Sequence, residues 1–144
     1  EGVLRASLEA QAARLGISDR LRLLGQRKDV PSLLRTSNLY VSSSIAEGLG
    51  TSVLEALASE VPVVATTAGG VGEMVLNGET GYLVPHSDIH ALTAAILQSL
   101  GDRDKARAMA RRGRVHVEKN FTVQGMIEGT LRVYETLLED ARPR

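Results

Sequence analysis

The chain has 144 residues, 43% of them hydrophobic, with 17 basic and 17 acidic side chains and no cysteine. This length and composition suit one domain with a core, and the even charge gives no reason to expect a nucleic-acid partner. A chain without cysteine has neither a disulfide framework nor a thiolate metal site, and we expect a cytoplasmic location.

The start of the chain indicates that it belongs to a longer protein. Its first residues, EGVLRASLEA, resemble neither a signal peptide nor a start at methionine. No apolar run approaches the roughly 18 residues that a membrane-spanning helix needs. We therefore expect that a preceding segment is missing.

In chain order, the sequence predicts a helix and then strands that alternate with helices. Apolar residues recur at helical spacing from Val3 to Leu15, and Gly16 is suited to end that helix. Segments 29–37, 50–60 and 70–78 are predicted to be helical, as is the chain from Ser87 onward, with breaks near Gly101 and Asn120. Short, branched apolar runs predict four strands, near Leu21 to Leu24, Leu39 to Ser42, Val61 to Ala65 and Tyr82 to Val84.

Strands that alternate with helices predict an α/β fold with a parallel sheet. We expect an incomplete doubly wound, Rossmann-like sheet with helices on both faces, formed by about residues 1–100, and a helical C-terminal tail from about 101 to 144. Ligands of such sheets bind outside the carboxyl ends of the strands, where loops lead into helices.

One such loop lies between two glutamates. Glu47 and Glu55 are eight residues apart, around the glycines of the run EGLGTS. A helix that begins near Thr51 leaves the amides of Gly50, Thr51 and Ser52 without intrahelical acceptors, and its N-terminus carries partial positive charge. Glycines let a bulky group approach the backbone, so phosphate is the expected occupant.

The carboxylates suit a different part of the same ligand. Glu55 lies four residues after Thr51, on the same face of the predicted helix, so it can face the crevice. A carboxylate a few ångströms from a phosphate can accept hydrogen bonds from sugar hydroxyls. The two glutamates together therefore suggest two sugars.

The segment from Glu47 to Val84 begins with EGLGTSV and ends with GYLV. It resembles the C-terminal half of a GT-B glycosyltransferase of the retaining family 4 type, also called glycosyl transferases group 1. The mark of that family is a glutamate, seven residues and a second glutamate. Further segments of the chain fall in family order: LGISDRLRLLG, VPSLLRTSNLYVSSS, the pattern Gly69, Gly70 and Glu73, NGETGYLV and VYETLL. The resemblance covers nearly the whole chain.

Position by position, the resemblance assigns a role to each residue of the loop. Glu47, as the catalytic residue, and the amides of Gly48, Leu49 and Gly50 would hold the hydroxyls of the donor sugar. The segment from Leu49 through Thr51 to Ser52 would contact the diphosphate, and Glu55 would bind the ribose. The base would lie against a second loop, formed by Gly25, Gln26 and Arg27.

The sequence departs from the family pattern at three positions. Ser43 stands where the family commonly has proline, and Ala46 replaces a larger residue, so the sugar pocket differs. Glu60 stands where glycine usually follows the helix. A side chain there must adopt or avoid a left-handed backbone, at a cost of about 1 kcal/mol.

The resemblance also implies what the chain lacks. Family members place an arginine and a lysine that neutralise the diphosphate on a segment that would precede Glu1, and an N-terminal domain binds the acceptor. The chain thus resembles the donor-binding part of a metal-independent retaining enzyme that moves a hexose from a nucleoside diphosphate sugar, without a cofactor. We expect it to be inactive alone, and the acceptor (a sugar, a lipid-linked sugar or a small molecule) is open.

Two other functions are open from the residues alone. A glycoside hydrolase would use Glu47 and Glu55 as acid and base, about 5 to 9.5 Å apart across the scissile bond. A non-catalytic module would bind a phosphate or nucleotide through the same glycine loop. Without the resemblance, a solvated loop beside an ordinary helix surface would explain the glutamate pair.

The basic run from Asp102 to Asn120 has two interpretations. It is typical of a solvated helix face, and it also suits peripheral contact with an anionic membrane or a lipid-linked acceptor. Asp102 is expected to cap a helix. The three histidines, His86, His90 and His116, are expected at the surface, without a metal.

Overall fold

The computed structural model describes residues 2–140, with side chains for residues 2–138. The chain divides into two units, Glu1–Val30 and Pro31–Arg144. The predicted helical tail was expected to reach residue 144, and its residues 141–144 lie outside the described part.

The first unit contains helix α1 (Arg5–Arg14). Gly16 ends it with a left-handed φ of 65°, as predicted. The Gly16 amide donates to Ala13 O at 3.1 Å, and the Ile17 amide donates to Ala12 O at 3.0 Å. These two bonds form a Schellman motif, which satisfies carbonyls that the end of the helix would otherwise leave free.

The second unit contains a parallel three-stranded sheet in the order β1-β2-β3, formed by β1 (Tyr40–Ser42), β2 (Val63–Thr66) and β3 (Tyr82–Val84). In the register, Ser42 pairs with Ala65, and Ala65 pairs with Leu83. Three predicted strands and their parallel arrangement are thus confirmed.

The predicted strand near Leu21 to Leu24 is wrong. Residues 21–25 have no regular secondary structure, and Leu21 and Leu24 are 39% and 54% exposed. A strand requires a hydrogen-bonded neighbour, and the ladders of the described residues join only β1 with β2 and β2 with β3. The short apolar run predicted a strand, but such a run cannot supply that neighbour.

Six helices surround or follow the sheet within the described residues. The predicted breaks near Gly101 and Asn120 are confirmed by the ends of two of them. The helices are α2 (Val30–Thr36), α3 (Thr51–Ala58), α4 (Val71–Met74), α5 (Ile89–Gly101), α6 (Arg103–Asn120) and α7 (Val123–Asp140).

Helices cover both faces of the sheet, as predicted. All four residues of β2 are buried, although successive side chains of a strand point to opposite faces. Val64 forms a cluster with Val84 and Ala95, so α5 covers its face. Val63 points to the other face of the sheet, and so does Tyr40, with which it pairs. The Tyr40 hydroxyl contacts Ser52 of α3, so α3 covers that face.

A residue with a strained backbone follows the end of helix α3. Glu60 adopts a φ of 55°. Of the two outcomes that the sequence left open, the structure thus has the left-handed backbone. The Glu60 amide donates to Leu57 O at 3.0 Å and the Val61 amide to Ala56 O at 3.1 Å, which completes a second Schellman motif. Arg114 of α6 binds the Glu60 carboxylate at 3.2 Å.

Helix α6 packs closely on α3 through a glycine. A Cβ on Gly113 would lie 2.7 Å from Leu57 Cδ2, so the two helices approach where no side chain intervenes. Helix α7 has an exposed apolar side that includes Val123, Leu131 and Tyr134. No helix within residues 2–140 is both long and apolar enough to cross a membrane.

Candidate functional site

Two loops meet at the carboxyl ends of β1 and β2. A Cβ on Gly69 would overlap the carbonyl oxygen of Glu47, and it would lie 3.2 Å from Gly48 O. Gly69 also has a φ of 52°, which favours glycine. The loop after β1 therefore rests directly on the backbone of the loop after β2, and both loops lead into helices.

Helix α3 begins at Thr51, as the sequence predicted, and no side chain caps it. Its N-cap residue, Gly50, has a φ of 66° and is buried against Val71, whose Cγ2 would lie 3.2 Å from a Cβ at position 50. The amides of Thr51 and Ser52 lie in the first turn, where no intrahelical carbonyl is available. This end of the helix therefore offers amide donors and partial positive charge to a ligand.

Glu47 is half-buried and held by a hydroxyl. Ser44 Oγ donates to Glu47 Oε1 at 2.6 Å. The carbonyl of Ser44 accepts a bond of 2.6 Å from Thr66 Oγ1, at the end of β2. The sheet thus fixes Ser44, and Ser44 fixes one carboxylate oxygen of Glu47.

Glu55 lies one turn into α3 from Thr51, and it is exposed. The opposite side of this helix is the buried one, since Val53 and Ala56 are 1% and 0% exposed. Thr51 and Glu55 share a face because they are four residues apart. The side chain of Glu55 is thus presented to solvent, and its carboxylate has no hydrogen bond within residues 2–138.

A second hydroxyl of the first turn is oriented by the sheet. Tyr40 Oη donates to Ser52 Oγ at 2.8 Å. Because Ser52 accepts this bond, its own proton can be donated to another group. The sequence predicted a role for Ser52 but none for Tyr40 or Thr66. Their sequence signal is only a hydroxyl side chain in the first position of β1 and in the last position of β2.

The predicted base-binding residues, Gly25, Gln26 and Arg27, belong to the first unit. Gly25 has a φ of 66°, and all three residues are exposed. Arg27 forms a two-pronged pair with Asp29, with Nε to Oδ1 at 2.8 Å and Nη2 to Oδ2 at 2.6 Å. These hydrogen bonds lower the pKa of Asp29 and raise the pKa of Arg27.

The other polar residues considered from the sequence serve structural contacts. Asp102 caps α6 as predicted, since its Oδ1 accepts a bond of 3.1 Å from the Lys105 amide. His116 Nε2 lies 3.1 Å from Glu73 O. Within the described residues, no group of three or more potential ligands is arranged to hold a metal ion.

These elements combine a parallel sheet, a glycine loop at its carboxyl edge and an uncapped helix N-terminus between two carboxylates. The family model described as glycosyl transferases group 1 matches residues 1–116. The chain belongs to this family, as its resemblance predicted.

Curated relatives and solved structures agree with that assignment. The chain is 39% identical over 135 residues to the lipopolysaccharide core biosynthesis mannosyltransferase LpcC of Rhizobium leguminosarum bv. viciae, covering 94% of the chain and 38% of that protein. Sucrose-phosphate synthase from Thermosynechococcus elongatus superposes with a TM-score of 0.86 at 30% identity, covering 97% of the chain and 36% of that structure.

A third comparison includes bound ligands. Anabaena HepE, solved in complex with UDP and glucose, superposes with a TM-score of 0.80 at 30% identity, covering 93% of the chain and 36% of that structure. The chain spans little more than a third of the length of each of these three proteins. The similarity nevertheless covers most of the described elements, so the fold is that of one part of a GT-B glycosyltransferase.

Proposed function

We propose that the chain is the donor-binding part of a retaining glycosyltransferase, which moves a hexose from a nucleoside diphosphate sugar to an acceptor. The observation that carries this proposal is the open N-terminus of α3, with Gly50 as its N-cap and Glu47 and Glu55 on either side. A nucleotide sugar has a diphosphate between two sugars, and this site has anion donors between two carboxylates.

The diphosphate is assigned to the first turn of α3. The amides of Thr51 and Ser52, that of Leu49 and the Ser52 hydroxyl supply donors, and the helix dipole favours the negative charge. Gly50 has no side chain to compete for these amides. Because amides, hydroxyls and basic side chains can stabilise the leaving diphosphate, we propose a reaction that needs no divalent metal.

The carboxylates are assigned to the two sugars. Glu47, with Gly48 and the neighbouring amides, would hold the hydroxyls of the transferred hexose, and Glu55 would bind the ribose. Ser44 occupies one oxygen of Glu47 and leaves the other available to a ligand. The assignment of Gly25, Gln26 and Arg27 to the base stays a prediction from the resemblance.

The comparisons support the donor class. HepE was solved with UDP and glucose, and LpcC is named a mannosyltransferase. Both proteins are nearly three times as long as the part that this chain matches, so we propose that the chain alone binds the donor without transferring the sugar. The base, the hexose and the acceptor stay open.

Titration of the chain with UDP, GDP and ADP, followed by amide NMR spectra, tests the proposal. We expect one nucleotide to bind and to shift the amides of Thr51 and Ser52 most strongly. A glycoside hydrolase would bind a free oligosaccharide instead. Nucleotide binding that leaves the first turn of α3 unperturbed would contradict the site, and absence of binding by all three nucleotides would contradict the function for this chain.

A further inference from the structure

A polar cavity of about 290 Å³ opens at the amino ends of β1 and β2. Asn38 lies two residues before β1, and Pro62 lies directly before β2. Ser99, near the end of α5, is buried and completes one wall. The cavity therefore lies at the edge of the sheet opposite to the candidate donor site.

Three arginines line this cavity, Arg35 of α2 and Arg103 and Arg107 of α6. Arg103 and Arg107 are four residues apart, so they share one face of α6. Within the side chains of residues 2–138, none of the three arginines has a carboxylate at salt-bridge distance. Their positive charges are therefore available to a ligand.

One carboxylate, that of Glu60, also lines the cavity. Arg114 binds it at 3.2 Å, from outside the set of lining residues. Arg114 also binds Glu118 at 2.7 Å, so its one positive charge is shared between the two carboxylates and offsets only part of the charge of Glu60. The wall thus carries three arginines against one carboxylate, and Asn38 adds an amide donor. The Ser37 hydroxyl donates to Leu33 O at 2.8 Å, so it offers the cavity no free proton.

We propose that this cavity is a second anion site, which binds a phosphate group through Arg35, Arg103 and Arg107. Guanidinium groups match the oxygens of a phosphate in geometry as well as in charge. The volume lies at the lower end of the range for ligand pockets, which suits a phosphorylated small molecule or the phosphate of a lipid headgroup. A flat basic face would suit a membrane surface in general, whereas this wall is concave and joins two helices.

The site is separable from the donor site by position. The strands that lie between them have three or four residues, which corresponds to about 10 to 13 Å at 3.3 Å per residue. A ligand at the amino edge should therefore perturb the amides of Ser37, Asn38 and Leu100, whereas a ligand at the donor site should perturb Thr51. Failure of one proposal thus leaves the other intact.

The first experiment uses inorganic pyrophosphate as a probe, with NMR titration of the chain. We expect shifts at Ser37 and Asn38, and we expect the double substitution Arg103→Gln with Arg107→Gln to weaken that binding about tenfold or more. The control is Arg111→Gln with Arg132→Gln, which removes the same charge from outside the cavity and should leave the affinity within about twofold.

Cosedimentation with vesicles distinguishes the source of the phosphate. Vesicles of phosphatidylcholine with phosphatidic acid test a lipid source, and pure phosphatidylcholine is the blank. The cavity and control variants separate entry of a headgroup into the cavity from a general attraction of the basic helix α6 to an anionic surface. Binding of pyrophosphate alone assigns the site to a soluble phosphate. Binding of the acidic vesicles that is lost in the cavity variant and kept in the control variant assigns it to a lipid.

Thermal unfolding shows whether the variants fold, and Arg35→Gln, on a different helix, supplies an independent test if the double variant does not. Three results would overturn the proposal. The first is that the parent chain binds neither pyrophosphate nor the acidic vesicles. The second is that the NMR shifts caused by pyrophosphate are confined to the first turn of α3. The third is that the cavity and control variants lose affinity equally.

Discussion

Ser44 Oγ donates a 2.6 Å hydrogen bond to Glu47 Oε1, and the backbone of the same serine is bound by Thr66 at the end of β2. The carboxylate assigned to the transferred hexose is therefore positioned by the central strand of the sheet. A short bond to a charged acceptor is among the stronger hydrogen bonds in proteins. Its effect should appear in the reaction more than in the fold.

The substitution Ser44→Ala removes this bond and leaves Glu47 in place. In an enzyme restored to the length of its relatives, we expect turnover to fall about tenfold, since a bond to a charged group contributes about 1.5 kcal/mol or more. Ser32→Ala is the matched control, because Ser32 is an exposed serine of α2 outside the candidate site. Equal turnover of both variants in a steady-state assay would show that Ser44 does not position Glu47.

The two glutamates should differ in what they bind. Glu55→Ala should weaken both the nucleoside diphosphate and the nucleotide sugar by about 1.5 to 3 kcal/mol, because a charge-assisted bond to the ribose is lost. Calorimetric titration of the 144-residue chain with each ligand measures this effect. Glu55 is exposed, so the substitution should leave the thermal stability nearly unchanged.

Glu47→Ala should give the opposite pattern. The bare diphosphate should bind as before, whereas turnover in the restored enzyme should fall, since a contact with the hexose strengthens as positive charge develops at the anomeric carbon. If Glu47→Ala abolished diphosphate binding and Glu55→Ala had no effect, the two roles would be assigned to the wrong residues.

Nucleotide binding should not depend on divalent metal. We expect the same dissociation constant before and after treatment with EDTA, because the donors proposed in this chain are the amides of Leu49, Thr51 and Ser52 and the Ser52 hydroxyl. The measurement is a UDP titration, with metal-free buffer as the reference. A loss of affinity on chelation that magnesium or manganese restores would remove this account of the diphosphate site.

The sequence predicted local features of the site better than its contacts. A glycine followed by apolar residues at helical spacing predicted the start of α3 at Thr51, because capping and periodicity are local properties. The contact of Thr66 with Ser44 joins residues 22 positions apart, and only the packing of β1 against β2 creates it. The strand expected near Leu21 failed for the same reason, since its ladder would depend on a distant partner.

The contact between the two loops can be tested at Gly69. A Cβ there would overlap Glu47 O, and the φ of 52° adds a conformational cost to any other residue. Gly69→Ala should therefore destabilise the chain by about 1 to 3 kcal/mol. It should also displace the Glu47 loop, so turnover in the restored enzyme should fall further than the loss of stability explains.

Gly70→Ala separates this contact from the general effect of replacing a glycine. At position 70 a Cβ would lie 3.7 Å from Gly48 O, which is an ordinary contact, and the φ is −73°. The free energy of unfolding of this variant should lie within about 0.5 kcal/mol of that of the parent, and its turnover should be unchanged. Because backbone rather than side chain would oppose the Cβ at Gly69, the neighbouring groups cannot rotate away, and the Glu47 loop must move. Equal stability and turnover of the two variants would mean that the loop after β1 does not depend on the loop after β2.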